Sequence, residues 1–372
     1  MYGSSDPLSS DNTRKLRGML ALGIFVFHFC ITNEATIVNA TGLNIQLGIG
    51  SIFVGMFFML SGFGLMESFK NKKDYLKGFL GKKIERLFVP LWMCGVIALV
   101  VYWVTNIGVG MSTNEEYLYD FISGGHRVLA VWFVTELIFF YLIFFLAFKY
   151  LRTKWAIVAV TAASSLLMAL LSEMPDTWSI SGMMFPLGLF ISQYRKEIES
   201  TKPYVFLILA VISSICLAIV MKENATTTGG HTILGNLIGL FAVLFMISIL
   251  LIRKSGPSYC MPMLILSNIV FYCLAVELSF SLNGKITLLL ITAYSAPVGI
   301  SILSPVTDFI GNISYEFYLI HQVLINCVSH YYSGVGTLFI ITIAVAVTSA
   351  YIANRASRLF VYENKEILPK NN

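Results

Sequence analysis

Apolar stretches about as long as a membrane-crossing helix follow one another along almost the whole chain. A helix needs about 20 apolar residues to cross the roughly 30 Å hydrocarbon layer of a bilayer. Of the 372 residues, 57% are hydrophobic and only 12% are charged, against about 25% charged in an ordinary soluble domain. We therefore predict an all-α, polytopic transmembrane helical bundle of about 10–12 spans. The predicted spans are 17–33, 46–69, 86–106, 130–149, 155–172, 178–194, 203–221, 231–252, 262–282, 286–303, 311–333 and 335–354.

The distribution of positive charge predicts the orientation of this bundle. With both termini in the cytoplasm, the inner loops and tails hold all but three of the 25 Lys and Arg residues, the exceptions being Arg127, Lys222 and Lys285. Cytoplasmic loops of membrane proteins are enriched in Lys and Arg, so this bias supports the assignment. We predict one membrane domain over residues 1–372, with cytoplasmic tails at 1–16 and 355–372. The net charge of +5 then reflects topology and does not suggest a nucleic-acid partner.

Arg17 and His28 form the first candidate site. Eleven steps of about 100° are three helical turns plus about 20°, so both residues share one helix face, roughly 16 Å apart along the axis. If Arg17 marks the cytoplasmic boundary, His28 lies near the middle of the membrane. Ionisable residues at that depth are rare and usually functional. The alternative is that His28 only hydrogen-bonds a neighbouring helix, which contributes about 1 kcal/mol.

A second intramembrane histidine, His321, lies at a similar depth in a later span. Ser314 and Tyr318 precede it by seven and three residues and share its helix face. Glu316 lies about 140° away around the helix, so we expect it to point elsewhere. His321 is a candidate second proton-handling group, and the alternative is a hydrogen-bonded packing histidine.

Two further polar residues lie inside predicted spans. Ser61 precedes a glycine, and the pair most simply allows two helices to approach closely. Glu136 lies about a turn and a half from the outer surface. Its two interpretations are orientation of a base within a polar cavity, which we favour, and contact with water at the membrane surface.

The loop between the second and third spans carries the densest cluster of positive charge. Its apolar residues recur at helical spacing, which predicts an amphipathic helix along the membrane surface. One interpretation of the charge is orientation plus attraction to anionic lipid, worth about 1 kcal/mol per basic residue. The other is a phosphate cradle for an anionic cytosolic cosubstrate, formed by Lys82, Lys83 and Arg86, with Arg86 supplying planar multi-donor contacts.

Several classes of enzyme are excluded by missing motifs. The chain has no G-x-S-x-G, so a serine hydrolase with a nucleophile elbow is not expected. It also lacks a Walker loop and a dinucleotide-binding fingerprint. The six cysteines are scattered and form no metal-ligand or disulfide pattern. We therefore predict no metal site and no permanently bound cofactor.

Five segments, in order, resemble the signatures of the acyltransferase-3 family of bacterial integral membrane O-acyltransferases. Arg17 and His28 match the family's R-x10-H signature. The other four segments are VGMFFMLSGFGL (54–65), KKIERLFVP (82–90), VWFVTELIFFY (131–141) and GNISYEFYLIHQ (311–322). The resemblance extends over nearly the full chain. One departure is Lys83-x-x-Arg86, where the family often has two arginines, because lysine supplies charge without a planar fork.

The resemblance implies transfer of an acyl group, usually acetyl from cytosolic acetyl-CoA, to a hydroxyl of a cell-envelope glycan or lipid-linked sugar. It places the protein in the bacterial plasma membrane, in contact with membrane lipids, and makes His28 essential, with Arg17 beside it. Lys82, Lys83 and Arg86 would then lie near the CoA phosphates. His28 would act as general base or as transient acyl carrier. Many relatives carry an extracytoplasmic domain that completes transfer; none is predicted here, so direct transfer and transfer through a separate extracytoplasmic partner both stay open.

The alternative function is a transporter or exporter whose polar residues line a permeation path. Intramembrane histidines serve proton relays equally well. Against this, the sequence shows no clear inverted repeat and no pair of interrupted helices in matching halves. A pure assembly scaffold is a third interpretation, but it would not need polar residues in line through the first span.

Overall fold

In a computed structural model of the chain, the described residues are all in helices or in the turns between them, which confirms the predicted all-α class. The described residues are 8–41, 50–107, 129, 132–170, 182–226, 237, 240–245, 247–248, 251, 304–332 and 334–367. The helices are α1 (Ser10–Thr32), α2 (Glu34–Thr41), α3 (Gly50–Asn71), α4 (Phe79–Thr105), α5 (Trp132–Tyr150), α6 (Thr153–Leu170), α7 (Met184–Gln193), α8 (Arg195–Ser200), α9 (Pro203–Thr226), α10 (Ser304–Asn312), α11 (Ser314–Tyr331) and α12 (Val335–Ile367).

Six of the described helices are long and apolar enough to cross a membrane, namely α1, α3, α4, α5, α9 and α12. The predicted span at 178–194 differs from the structure, where α7 has only 10 residues, about 15 Å of helix. Helix α7 ends at Gln193, and the backbone N–H of the next residue, Tyr194, bonds to the carbonyls of Phe190 and Ser192. The predicted spans at 262–282 and 286–303, and most of the one at 231–252, lie outside the described residues.

The first and last helices extend into the regions that we assigned to tails. The side chain of Ser9 accepts a hydrogen bond from the backbone N–H of Asn12 and so caps α1. Capping satisfies one of the free N–H groups at a helix start, and α1 therefore begins at Ser10 instead of at residue 17. At the other end of the chain, α12 continues past the expected boundary at 354 to Ile367.

The basic loop between α3 and α4 does not form the separate surface helix that the spacing predicted. Residues 72–78 form a bend and turns, and Gly78 takes a left-handed conformation with φ of 65°, which glycine adopts without steric cost. Helix α4 starts directly afterwards at Phe79. The helical spacing therefore belongs to the first turns of a membrane-crossing helix.

Glycines bring two pairs of helices into backbone contact. On α3 and α7, a Cβ atom at Gly62 would overlap the carbonyl oxygen of Phe185, and one at Gly188 would overlap that of Met59. Small residues at such positions are typical of close helix packing in membranes. Helices α1 and α10 are joined in the same way, because a Cβ at Gly18 would overlap the carbonyl oxygen of Thr307.

Helix α11 connects the two sides of the bundle, since it packs against α1, α4 and α12. Tyr315 at its start donates a hydrogen bond to the carbonyl oxygen of Leu87 on α4, at 3.0 Å. Glu316 accepts a bond from the Asn354 amide of α12, at 2.8 Å, so it points away from His321 as predicted. These bonds fix the rotation of α11 and direct the opposite face of the helix toward α1.

Candidate active site

The two intramembrane histidines are in direct contact. Nδ1 of His28 on α1 lies 2.6 Å from Nε2 of His321 on α11, and the ring centroids are 4.9 Å apart at an interplanar angle of 21°. His321 is fully buried, whereas His28 is half-buried. The His28 ring therefore has one edge held by a buried partner and remains partly accessible.

The hydrogen bonds define which nitrogen of each ring carries the proton. Nδ1 of His321 lies 3.1 Å from the backbone carbonyl oxygen of Phe317, and a carbonyl can only accept. A neutral imidazole has one donor nitrogen and one acceptor nitrogen. With Nδ1 of His321 as donor, its Nε2 accepts from the Nδ1–H of His28. With this assignment, Nε2 of His28 carries a lone pair, and no group among the described residues is hydrogen-bonded to it.

Aromatic side chains surround the buried ring and lead from it toward a cavity. Phe25, Phe317 and Tyr318 contact His321, with centroid distances of 6.4, 6.1 and 5.8 Å respectively. Tyr318 also packs on Phe133 of α5, at 5.1 Å. Both Tyr318 and Phe133 line the cavity described next. The histidine pair therefore lies directly behind the Tyr318 wall of the cavity.

A cavity of about 720 Å³ lies among α1, α3, α4, α5, α8 and α11. This is within the range of roughly 300–1,000 Å³ that is usual for small-molecule sites. Of the predicted residues, Arg17, Ser61, Arg86, Ser314 and Tyr318 line it. The remaining lining residues are Leu8, Ser9, Ser10, Thr13, Phe57, Leu60, Phe63, Gly64, Glu67, Leu87, Phe133, Leu137, Tyr141, Arg195 and Tyr315.

Three arginines give this cavity a strong positive charge. Arg17, Arg86 and Arg195 come from three different helices, near the ends that face the predicted cytoplasmic side. Among the described residues, neither Arg17 nor Arg86 has a carboxylate within ion-pair distance. Both side chains are exposed, so an anion can reach them, and the planar donors of guanidinium groups suit phosphate oxygens.

The third arginine is held in an ionic cluster with α3. Glu67 accepts bonds from Arg195, at 3.2 Å, and from the Ser192 hydroxyl, at 2.7 Å. Lys70 lies 2.7 Å from the same carboxylate and donates to the carbonyl oxygen of Ser192, at 2.5 Å. The cluster ties α3 to α7 and α8, and it offsets the charge of the Glu67 carboxylate, which lines the cavity.

The remaining predicted residues differ in whether they line the cavity. Ser61 is 3.2 Å from the hydroxyl of Tyr141, and the ammonium of Lys83 lies 5.2 Å from the centroid of the Tyr141 ring. Lys83 is thus a neighbour of the cavity without lining it. Lys82 is exposed and lies outside the lining. Glu136 is fully buried and is also not a lining residue.

One expectation about the histidine needs correction. The sequence grouped Arg17 and His28 as one candidate site on a shared helix face, but only Arg17 lines the cavity, and His28 is not among its lining residues. Tyr318 of α11 and Phe133 of α5 lie at this end of the cavity, with ring centroids 5.1 Å apart and planes tilted by 56°. The route from the arginines to the histidines therefore passes the Tyr318 side chain.

Arg195 and Tyr141 are two of the lining residues that the sequence did not single out. Arg195 follows a predicted span directly, so the positive-inside pattern explained it as one orienting charge among many. Tyr141 lies within the aromatic run of α5, where packing accounts for most aromatic residues. In each case, only the helix face on which the residue lies could have indicated its role. To interpret that face, one must know which helix packs against it. Within the described part of the chain, no three His, Cys, Asp or Glu residues are grouped as metal ligands.

The fold and the site define a multi-pass helical membrane protein with a buried imidazole pair beside a cationic cavity. A family model described as an acyltransferase domain, Acyl_transf_3, matches residues 15–355. The chain therefore belongs to the acyltransferase-3 family, in agreement with the resemblance of its motifs. No curated protein and no solved structure gives a significant match to it.

Proposed function

We propose that this membrane acyltransferase is an O-acetyltransferase that moves acetyl from cytosolic acetyl-CoA to a hydroxyl of a cell-envelope glycan or lipid-linked sugar. The observation that carries the proposal is the 2.6 Å contact between His28 and His321. It leaves one imidazole nitrogen of a half-buried ring free to accept a proton. A neutral, oriented imidazole is the usual general base for activating a hydroxyl.

The cationic cavity supports an acyl-CoA as the donor. Coenzyme A carries its phosphates at one end and its thioester at the other. Arg17 and Arg86 would hold the phosphates through charge-assisted hydrogen bonds, which are stronger than neutral ones. The wall formed by Phe57, Phe133 and Tyr318 offers apolar and aromatic surface to the arm that carries the thioester. Binding in this direction points the thioester toward the histidine pair.

The chemical step then balances as follows. The acceptor O–H gives its proton to Nε2 of His28 while its oxygen attacks the thioester carbonyl carbon. The tetrahedral intermediate collapses, the carbon–sulfur bond breaks, and the proton passes from Nε2 to the departing thiolate. While His28 is an imidazolium, its Nδ1–H bond to His321 becomes charge-assisted and strengthens. His321 thus acts as a positioning residue that keeps the His28 proton on Nδ1.

The same geometry is compatible with acyl transfer through His28 itself. Nε2 would attack the thioester carbon and expel the CoA thiolate, which leaves an acyl-imidazolium on His28. The acceptor hydroxyl would then displace the imidazole, and its proton would pass to the thiolate. A separate extracytoplasmic transferase would take the acetyl group in place of the acceptor. Both routes require His28, and they differ in whether acetylated protein accumulates when no acceptor is present.

The test uses purified protein in lipid nanodiscs and carbon-14-labelled acetyl-CoA. We expect acetyl-CoA to raise the melting temperature of the protein, and envelope membranes to gain base-labile acetate. His28→Ala should abolish the transfer while protein levels stay normal. His330→Ala is the matched control, because His330 is exposed at the outer end of α11. A labelled substrate is preferable to a thiol reagent, because the chain has six cysteines of its own.

Two results would overturn the proposal. The first is a protein whose melting temperature does not respond to acetyl-CoA, as expected of an exporter of small solutes. The second is unchanged envelope acetylation in the His28→Ala variant. Rapid freezing of a reaction without acceptor, followed by mass spectrometry of the peptide containing His28, separates the general-base route from the acyl-carrier route.

A further inference from the structure

A group of polar side chains lies one helical turn outward from the histidine pair. Thr32 is four residues after His28 on α1, so it lies on the same helix face, about 6 Å closer to the outer surface. The amide nitrogen of Gln322 on α11 lies 3.1 Å from the Thr32 hydroxyl and 3.0 Å from the Asn326 amide oxygen. These three residues form what we call the outer amide cluster.

The exposure of the outer amide cluster requires an explanation. Thr32 is exposed, and Gln322 and Asn326 are partly exposed, although both helices lie in the bundle at this depth. Side-chain amides that face hydrocarbon lose hydrogen bonds to water and gain none in return. Polar residues in membrane segments therefore tend to face the bundle interior, a water-filled cavity or a bound polar molecule.

The hydrogen bonding of the cluster leaves one acceptor and one donor for such a molecule. Both N–H groups of the Gln322 amide are used by Thr32 and Asn326. Among the described residues, no protein group bonds to the Gln322 amide oxygen or to the Asn326 amide nitrogen. A hydroxyl both donates and accepts, so one oxygen acceptor beside one N–H donor matches a single hydroxyl or two neighbouring hydroxyls.

We propose that Gln322 and Asn326 bind the hydroxylated acceptor, holding a neighbouring hydroxyl while the reacting one meets His28. This inference rests on the proposed acetyl transfer and adds an outer-side acceptor site of polyol or sugar chemistry. The acceptor and acetyl-CoA would then meet from opposite sides of the histidine pair. The donor cavity lies inward, behind Tyr318, and the outer amide cluster lies toward the extracytoplasmic side.

The experiment measures how the acetyl group partitions between acceptor and water. Nanodiscs with the purified protein receive labelled acetyl-CoA and methyl glucoside as a polyol probe, and 1-hexanol replaces the glucoside in a parallel series. Both ester product and free acetate are counted. Gln322→Met and Asn326→Leu keep side-chain size while removing the amide groups. Asn312→Leu is the control, because Asn312 is an exposed amide at the last residue of α10, outside the outer amide cluster.

We expect each cluster variant to lower ester formation on methyl glucoside about five- to tenfold, as for one lost hydrogen bond to the acceptor. Transfer to 1-hexanol, release of free acetate and the KM for acetyl-CoA should stay within twofold of wild type. An equal fall with both alcohols, or a raised KM for acetyl-CoA, would overturn the acceptor role. If the wild-type protein neither binds nor consumes acetyl-CoA, the proposed function fails as well, and the two failures are thereby distinguished.

Discussion

Replacing His321 tests whether the second histidine positions the first. In His321→Leu, a side chain of similar size fills the pocket among Phe25, Phe317 and Tyr318 but accepts no hydrogen bond. The Nδ1–H of His28 then loses its partner at 2.6 Å. A buried donor without a partner costs about 1–3 kcal/mol. If that cost falls on the reactive form of His28, kcat should drop about 5- to 150-fold.

The glutamine variant separates hydrogen bonding from packing. The amide oxygen of His321→Gln can accept from His28, so this variant should recover a large part of the loss in kcat. The KM for acetyl-CoA should stay unchanged in both variants, because His321 does not line the cavity. Turnover would be measured with labelled acetyl-CoA, together with the melting temperature of each purified variant.

Two outcomes would refute this reasoning. Wild-type kcat in His321→Leu would mean that His28 needs no partner. Equal kcat in the leucine and glutamine variants, at equal melting temperature, would mean that His321 contributes by packing alone. If the leucine variant fails to accumulate, the glutamine variant is compared with wild type alone. A kcat in the glutamine variant lowered by the full range of about 5- to 150-fold would show that a retained acceptor does not preserve activity, and so would refute the positioning role.

Two further predictions concern the cavity and the packing around it. Arg17→Ala and Arg86→Ala should each weaken acetyl-CoA binding about 10- to 150-fold, the value of a charge-assisted hydrogen bond. Lys82→Ala should change the dissociation constant less than threefold, because Lys82 does not line the cavity; a larger effect at Lys82 would relocate the phosphate site. Gly188→Ala should lower stability by about 1–3 kcal/mol through overpacking against Met59, seen as a lower melting temperature, whereas Gly336→Ala should not, because a Cβ there meets nothing within 4 Å.

The sequence was sufficient for the fold class and for part of the site. Hydrophobic length and the positive-inside bias define a polytopic helical protein, because a bilayer leaves few alternatives to an apolar chain. The positions of His28 and His321 at matching depths, together with their motifs, also anticipated residues that prove to be in contact. Depth can be read from the distance to a boundary, so this part of the geometry needs no knowledge of the neighbouring helices.

The sequence could not show which face of each helix points into the cavity. Residues 82, 83 and 86 fall within an arc of about 100° on α4, and charge alone ranks them equally. Only the position of Tyr141 on α5 separates them, because Lys83 packs over its ring while Arg86 lines the cavity. Arg195 was overlooked for a related reason, since every cytoplasmic arginine satisfies the topology rule equally well.

The contact between α1 and α11 also has a consequence for what the proposed reaction would let through. Two helices joined by adjacent imidazoles cannot part during a reaction cycle without breaking the contact that holds the base. If acetylation proceeds as proposed, the barrier to ions and solutes stays closed while a two-carbon fragment changes sides. The cell would then retain its coenzyme and its ion gradients, and deliver only the acetyl group to the exterior.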